Sequence, residues 1–268
     1  MKIRSLLEKF SRNIVFQRTL QTPNGGRRLY VTPEACLRFW LPNSLEIDKR
    51  LNEFVRRYFR KGMNAWDLGS NVGIFSYLAA SIVSSSGKIL TVEADPHIAA
   101  LLLRTNRSVP FTDARPEVLT VGVSDSVATA VLAVPERSRA SNYIIETGGC
   151  TQTGGVRATF RIVTVTPDWL LDNTFEPQIV KMDIEGMEFR ALNSSPRLLS
   201  KVRPVFHLEV WENIASEMTS LLLGHDYYLF DGDNDLALNT KIERATWSTI
   251  AVPREKLHLI KPLNNLPL

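Results

Sequence analysis

The sequence predicts one α/β domain with a mostly parallel, seven-stranded sheet and helices on both of its faces. From Asn64 onward, short apolar segments alternate with longer segments of helical periodicity, which is the pattern of consecutive βαβ units. The 268 residues are enough for one large core but too few for two domains of ordinary size. We therefore expect an N-terminal helical segment over residues 1–62 and one main domain over residues 63–268.

The N-terminal segment combines an amphipathic pattern with a turn signal. Residues 3–20 carry apolar side chains near helical spacing with basic residues between them, which predicts a helix. We favour packing of its apolar stripe on the domain, although a basic amphipathic helix over residues 1–20 could also lie on an anionic membrane surface. A turn at 24–26, a strand at 29–32 and a helix at 47–59 are predicted to follow.

In the main domain the pattern predicts seven strands and four helices around an insertion. The insertion, at about residues 127–166, has two β-rich segments separated by polar, glycine-rich residues, which predicts a hairpin. Its tip is either a loop that closes over substrate or a plain solvated loop. The predicted strands are 65–68, 88–93, 117–123, 179–183, 204–211, 227–230 and 247–252, and the predicted helices are 72–83, 96–106, 187–199 and 214–223.

Charge and cysteine content argue against several functional classes. A balance of 32 basic against 28 acidic residues gives a net charge of +4, which does not indicate a nucleic-acid-binding protein. Cys36 and Cys150 stand far apart and outside any metal-ligand spacing, so neither a disulfide framework nor a zinc site is predicted. The apolar stretches fall short of the ~20 residues of a membrane span, and no secretory signal is recognisable. We therefore expect a cytoplasmic protein.

The clearest motif is Asp67-Leu68-Gly69-Ser70-Asn71-Val72-Gly73, which follows a predicted strand and opens a predicted helix. Glycines at 69 and 73 allow a sharp turn and a close approach to a ligand, while Ser70 and Asn71 lie where the helix start presents free N–H groups. The spacing is DxGxxxG and not GxGxxG, so the pyrophosphate cradle of nicotinamide enzymes is not reproduced. A Rossmann-like site for a ligand without pyrophosphate is predicted.

The next two strand ends complete a predicted nucleoside site. Glu93, followed by Ala94 and Asp95, is suited to accept the hydroxyls of a ribose. After the third strand, Ser124 and Asp125 would lie near an adenine amino group, and Asp67 would complement the ammonium group of a methionine moiety. As an ordered set on consecutive strands, these residues predict S-adenosylmethionine as the cofactor.

Four polar residues at the fourth and fifth strands are the candidate catalytic group. Asp183 and Glu185 follow one strand, while His207 and Glu209 share a face of the next, so that Asp183 and Glu209 would be neighbours. Transfer of a methyl group to a hydroxyl requires a positioned acceptor and a base, and Asp183, Glu209 or His207 could supply the base. Asp183 also borders the cofactor. A divalent metal held by these oxygens is an alternative that the sequence does not predict.

The assembled motifs resemble those of the FkbM family of methyltransferases. The resemblance covers about Val31 to Asp231 and is most specific in Lys181-Met182-Asp183-Ile184-Glu185-Gly186-Met187-Glu188. It implies a class I methyltransferase fold, S-adenosylmethionine as donor, and O-methylation of a small molecule or a sugar. The chain departs from the family at Pro167-Asp168-Trp169, which affects only local packing.

Two other functions are compatible with these patterns. One is a non-catalytic S-adenosylmethionine-binding scaffold that acts through a protein partner at its basic N-terminal segment, although the acids at 183, 185 and 209 argue against it. The other is a nucleotide-dependent oxidoreductase on the same fold, which the missing GxGxxG disfavours.

Overall fold

The computed structural model describes residues 10–42, 44–45, 49–145, 155–233 and 241–259. These residues contain fourteen strands and six α-helices. The strands are β1 (Phe16–Thr22), β2 (Gly25–Val31), β3 (Asn64–Leu68), β4 (Lys88–Val92), β5 (Glu117–Leu119), β6 (Gly122–Val123), β7 (Ala128–Pro135), β8 (Tyr143–Ile144), β9 (Val156–Val165), β10 (Ile179–Met182), β11 (Val205–Glu209), β12 (Tyr227–Asp231), β13 (Lys241–Ile242) and β14 (Ser248–Pro253). The helices are α1 (Lys49–Tyr58), α2 (Ile74–Val83), α3 (Pro96–Asn106), α4 (Pro167–Asn173), α5 (Glu188–Asn193) and α6 (Ala215–Gly224).

The central sheet confirms the predicted α/β class. Its strand order is β13-β12-β14-β11-β10-β3-β4-β5, and the five strands from β11 to β5 are parallel to their neighbours within that block. The order reverses between β3 and β10, because β4 and β5 lie on one side of β3 while later strands lie on the other. A crevice at the carboxyl ends of the strands is expected at such a reversal.

The sheet has eight strands where the sequence predicts seven. The additional strand, β13, has two residues and pairs with β12, so it is too short to leave a periodic pattern. The strand predicted at 117–123 is divided, because β5 pairs with β4 whereas β6 pairs with β9 of the insertion. The chain therefore changes sheets at residues 120–121.

Helices cover both faces of the sheet, as predicted. Buried residues of α1, α2 and α3 form one apolar layer with the β1–β2 hairpin, and its centre is an aromatic group of Phe54, Phe59 and Phe75. Residues of α4, α5 and α6 form the second layer around Trp66 and Phe206. None of the helices within the described ranges has both the length and the apolar character that crossing a bilayer requires.

The predicted helix over residues 3–20 is wrong at its C-terminal end. Residues 16–22 form β1, which pairs antiparallel with β2, and Leu20 and Leu29 are both fully buried. Cross-strand pairing and burial of alternate residues outweigh the weak helical spacing. The segment before α1 is thus a hairpin and not wholly helical. Residues 1–9, and with them nearly half of the proposed membrane-contacting stretch, lie outside the described residues.

The insertion is a hairpin, as expected from its β-rich segments. Strands β7 and β9 pair antiparallel from Ala128↔Thr164 onward, and β8 adds to the free edge of β7. Since β6 pairs with β9, the small sheet is attached directly to the chain that leaves the central sheet. Of the predicted tip between these segments, at about 135–155, residues 146–154 lie outside the described residues.

Candidate active site

A cleft lies at the carboxyl ends of β3, β4 and β10. One wall comes from the loops after these strands, and the opposite wall comes from the insertion. The lining residues are Gly69, Asn71, Val92, Glu93, Ala94, Ile98, Val121, Gly122, Val123, Leu132, Arg139, Ala140, Asn142, Tyr143, Ile144, Asp183, Ile184 and Glu185.

The glycine loop is fixed by close backbone contacts. Gly69 has φ of +79°, and an added Cβ would overlap the backbone carbonyl of Asp183. Its N–H, like that of Ser70, donates to the carbonyl of Val92 at 3.0 Å. Gly73 also has positive φ, +84°, immediately before α2. The loop therefore passes directly against the segment after β10, which joins the predicted donor-binding and catalytic ends of the sheet.

The side chain of Glu93 joins the loops after β3 and β4 through hydrogen bonds. Its Oε2 accepts the N–H of Asn71 at 2.8 Å, and its Oε1 accepts the N–H of Asp95 at 2.8 Å. Burial raises the pKa of Glu93 to about 7 despite these two hydrogen bonds. Each carboxylate oxygen has a second lone pair, so the side chain can still accept from a bound ligand.

Asp67 lies beneath the cleft and not in its lining. It is fully buried, and its Oδ2 accepts both the N–H of Ser76 at 3.1 Å and the hydroxyl of Ser76 at 2.6 Å. Its Oδ1 has no hydrogen bond among the described residues and lies 3.9 Å from Nζ of Lys181. Burial raises the pKa of Asp67. Its predicted role at a ligand's ammonium group stays a prediction.

Ser124 and Asp125 do not line the cleft either. The Asp125 carboxylate accepts from Arg190, whose Nη2 lies 2.6 Å away, and the Ser124 hydroxyl donates to Asp125 at 3.2 Å. The cleft is lined instead by the residues just before them, Val121 to Val123. Adenine contacts from these two side chains therefore also stay predictions.

The side chain of Asp95 accepts hydrogen bonds from three partners among the described residues. It caps α3 by accepting the N–H of His97, and its Oδ2 accepts from Arg139 at 2.5 Å and Asn142 at 2.7 Å. Ala94, beside it, lines the cleft. Asp95 thus holds the insertion to the end of β4, a role the sequence did not indicate.

Asp183, Glu185 and Glu209 come together at the end of β10 and β11. Asp183 and Glu185 line the cleft, and Glu209 is near enough to Asp183 for the Asp183 carboxylate to raise its pKa. Burial, reinforced by the Asp183 carboxylate, raises the pKa of Glu209 to about 7 and that of Glu185 to about 8. The sequence placed these three acids together correctly, since adjacent parallel strands end at one edge.

Sequence reasoning missed Lys181, which is the counter-charge of this group. Its Nζ lies 3.2 Å from Oδ2 of Asp183 and 3.9 Å from Oδ1 of Asp67, and these carboxylates raise the pKa of Lys181 against the effect of burial. A lysine in an otherwise apolar strand, level with Asp67 on the neighbouring strand, was the available signal. Lys181 therefore remains an ammonium ion.

Sequence reasoning also missed Glu188, which shapes the loop. Its two oxygens accept the N–H groups of Ile184 at 2.7 Å and Gly186 at 3.0 Å. The residue between them, Glu185, has a positive φ of +54°. Glu188 thus stabilises the bend that brings Glu185 to the cleft.

His207 is not among the residues that line the cleft. It is paired in register with Lys181 and packs against Phe54, with ring centroids 4.9 Å apart. One residue of the strand, Leu208, separates it from Glu209 at the edge. A role for His207 as the base stays a prediction that the cleft does not support.

The described residues of the cleft suit a polar ligand that donates hydrogen bonds. Asn71 and Asn142 line it, and the buried amide oxygen of each has no hydrogen-bond partner in the described ranges. Such buried acceptors are costly unless a ligand or water satisfies them. The adenosyl and amino-acid groups of S-adenosylmethionine supply donors of this kind. Over the same ranges, no three His, Cys, Asp or Glu side chains are arranged to hold a metal ion.

Replacing Glu185 with glutamine is expected to reduce the loss of stability at high pH. A folded-state pKa of about 8, raised from 4.5, stabilises the fold below the unfolded pKa, and this contribution is lost as pH rises through 8. Glutamine cannot ionise. We expect the variant to match the wild type at pH 5 and to exceed it at pH 9 by about 1–2 kcal/mol, or roughly 2–8 °C in Tm.

Thermal melts at both pH values test this expectation. The exposed Glu117→Gln variant provides the control, because it removes a carboxylate from the surface at the start of β5. Parallel losses of Tm in Glu185→Gln and wild type would show that Glu185 does not resist ionisation in the fold.

Comparison with known proteins places this site in a family. The family model described as the methyltransferase FkbM domain matches residues 67–234, more than half of the chain, as the sequence motifs indicated. No curated protein is similar to the chain.

Several solved structures resemble it at low identity. A methyltransferase FkbM from Methylobacillus flagellatus is 16% identical with a TM-score of 0.46, and the match covers 74% of this chain and 49% of that one. A precorrin-6y C5,15-methyltransferase from Geobacter metallireducens is 12% identical with a TM-score of 0.43 over 75% and 85% of the two chains. A SAM-dependent O-methyltransferase from Thermotoga maritima is 11% identical with a TM-score of 0.42 over 87% and 75%. By the family match over residues 67–234, the chain belongs to the FkbM family of S-adenosylmethionine-dependent methyltransferases.

Proposed function

We propose that this protein transfers a methyl group to a hydroxyl oxygen of a small molecule or a sugar. The observation that carries the proposal is the pair of carboxyl groups, Asp183 and Glu209, at the ends of the adjacent strands β10 and β11, with Asp183 at the cleft and Lys181 beside it. A hydroxyl is a poor nucleophile until its proton is removed, whereas a neutral amine needs no base to attack. A carboxylate pair at the transfer end therefore favours oxygen as the acceptor atom.

The donor would be held by the loops that already meet at the cleft. Glu93 would accept the ribose hydroxyls, and the backbone of Gly69 and Asn71 would lie against the amino-acid portion. When bound, S-adenosylmethionine supplies a sulfonium methyl group.

The carboxylate pair would manage the acceptor's proton. As the acceptor oxygen takes the methyl group that bound S-adenosylmethionine would supply from its sulfonium, the hydroxyl proton would pass to Asp183. Glu209 shares that proton, since its pKa of about 7 lies near the pH at which a general base works best. The ammonium group of Lys181 offsets part of the negative charge of the pair, which is costly in a partly buried site.

The same charges favour an uncharged acceptor. Asp183, Glu185 and Glu209 lie together at this end of the cleft, and Lys181 offsets only part of their potential charge. Above pH 8, where Glu185 and Glu209 are both ionised, an acceptor with a phosphate or carboxylate near the reacting hydroxyl would be repelled. Sugars and other polyols can instead donate hydrogen bonds to these groups.

A methyl-labelling screen tests the choice of oxygen. The purified protein is incubated with S-adenosylmethionine carrying a ¹³C methyl group and matched sets of acceptors that present a hydroxyl, an amine or a thiol on the same ring. We expect the label on oxygen, identified by the carbon chemical shift. A label on nitrogen, sulfur or carbon only would overturn the proposal.

Replacing Glu93 with alanine is expected to weaken binding of S-adenosylhomocysteine by about 10–100-fold. The variant removes the acceptor of the ribose hydroxyls, and hydrogen bonds to a charged group contribute ~1.5–3 kcal/mol. Calorimetric titration at pH 8.5, where wild-type Glu93 is ionised, gives the comparison. The exposed Glu117→Ala variant should bind like wild type. If Glu93→Ala bound S-adenosylhomocysteine as tightly as wild type does, Glu93 would not be part of the donor site.

A further inference from the structure

The insertion is tied to the donor side of the cleft by buried ion pairs. Arg139 donates to Oδ2 of Asp95 at 2.5 Å and to Oε2 of Glu34 at 2.9 Å, and the side chains of Glu34 and Asp95 are 3% and 0% exposed. Arg157, from β9, also pairs with Glu34. Charge pairs this well buried hold one geometry, because a displaced partner leaves a charge without compensation.

This arrangement fixes the orientation of the Asn142 amide. A carboxylate only accepts hydrogen bonds, so the amide nitrogen must face Asp95, to which it donates at 2.7 Å. The amide oxygen is then directed elsewhere. It is buried and has no hydrogen-bond partner among the described residues, although Asn142 lines the cleft.

Apolar residues of the insertion complete the same wall. Leu132 and Ile144 line the cleft together with Ile98 and Val123, which come from α3 and β6. The resulting space lies beside Glu93, the candidate ribose acceptor. A flat apolar ring with polar edges, such as a purine, fits between apolar walls of this kind.

We propose that the insertion forms part of the donor site and that the amide oxygen of Asn142 accepts a hydrogen bond from the adenosyl group of the cofactor. This inference rests on the proposed donor. It assigns to residues 139–144 a role in recognising the adenosyl group, in addition to the contacts predicted for Ser124 and Asp125. The donor on the ligand is either the adenine amino group or a ribose hydroxyl.

Calorimetric titrations of wild type and Asn142→Leu with three ligands test the proposal. The ligands are S-adenosylhomocysteine, its inosine counterpart, which lacks the amino group, and its 2′-deoxy counterpart. We expect Asn142→Leu to bind S-adenosylhomocysteine about 10-fold more weakly. The analogue that lacks the contacted donor should lose affinity for wild type but not for the variant, since the contact is already absent there.

The outcomes separate this inference from the donor assignment. Absence of S-adenosylhomocysteine binding to wild type would overturn both. Normal binding to wild type, together with an unchanged affinity or the same loss for all three ligands in Asn142→Leu, would overturn the role of Asn142 alone. Asn173→Leu is the matched control, because its amide nitrogen donates to the carbonyl of Trp169 away from the cleft.

A second measurement does not depend on the substitution. If residues 139–144 belong to the donor site, their backbone amides should exchange hydrogen several-fold more slowly when wild type binds S-adenosylhomocysteine. Unchanged exchange in this segment, with protection at residues 69–73 and 93–95, would place the ligand against the opposite wall only. Should Asn142→Leu fold poorly, Asn142→Ser removes the amide with less apolar bulk.

Discussion

Replacing Asp183 with asparagine is expected to lower the rate of methyl transfer by about 10²–10⁴-fold, the usual contribution of a positioned general base. Asparagine keeps the shape of the side chain but cannot accept the acceptor's proton. The affinity for S-adenosylhomocysteine should change less than about threefold, because Asp183 acts at the transfer end of the cleft. Methyl transfer to an acceptor from the screen and calorimetric titration together provide the measurement.

The pH profile distinguishes a base from a residue that only shapes the site. In wild type the rate should rise with pH around 7, as Glu209 loses its proton and the pair becomes able to accept another. This rise should be absent or displaced in Asp183→Asn. Glu212→Gln, which removes an exposed partner of Arg244, is the control and should leave rate and profile unchanged. Equal losses in rate and donor affinity in Asp183→Asn would contradict the assigned role.

Replacing Gly69 with alanine is expected to destabilise the fold by about 3–5 kcal/mol. The position requires a positive φ of +79°, and the added Cβ would overlap the carbonyl of Asp183. Left-handed strain and backbone displacement each cost roughly 1–3 kcal/mol. Thermal and denaturant unfolding should show a Tm lower by roughly 6–20 °C.

A second glycine variant gives a matched control. A Cβ added at Gly224, the last residue of α6, meets no atom within 4 Å. Gly224→Ala should therefore leave stability almost unchanged or slightly higher. A Gly69→Ala protein as stable as Gly224→Ala would show that the loop after β3 can move away from β10 at little cost.

The positions of site residues were predicted best where they depend only on the direction of the chain. Consecutive parallel strands end at one edge, so the loop at Gly69, the carboxylate of Glu93 and the acids at 183 and 209 could be assembled without knowing any contact. The bounds of α3 were predicted correctly because Asp95 and Pro96 mark its start. These features depend on local sequence and on topology.

Features that depend on remote contacts were not predicted. The pairing of residues 16–22 with β2 and the shift of residues 122–123 to another sheet both follow from tertiary partners. The same holds for the Asp125–Arg190 pair, which directs a predicted cofactor residue elsewhere. Asn142 left no signal at all, since an asparagine in a polar insertion is ordinary until its amide meets Asp95.

The ion pairs around Arg139 also bear on how the molecule folds. Glu34, Asp95, Arg139 and Arg157 come from segments separated by tens of residues, so this wall of the cleft consists of contacts of high sequence separation. Such contacts stabilise the fold only after the chain has lost the conformational entropy of closing long loops. The donor pocket should accordingly be among the last regions to become ordered, after the central sheet has joined the segments that enclose it.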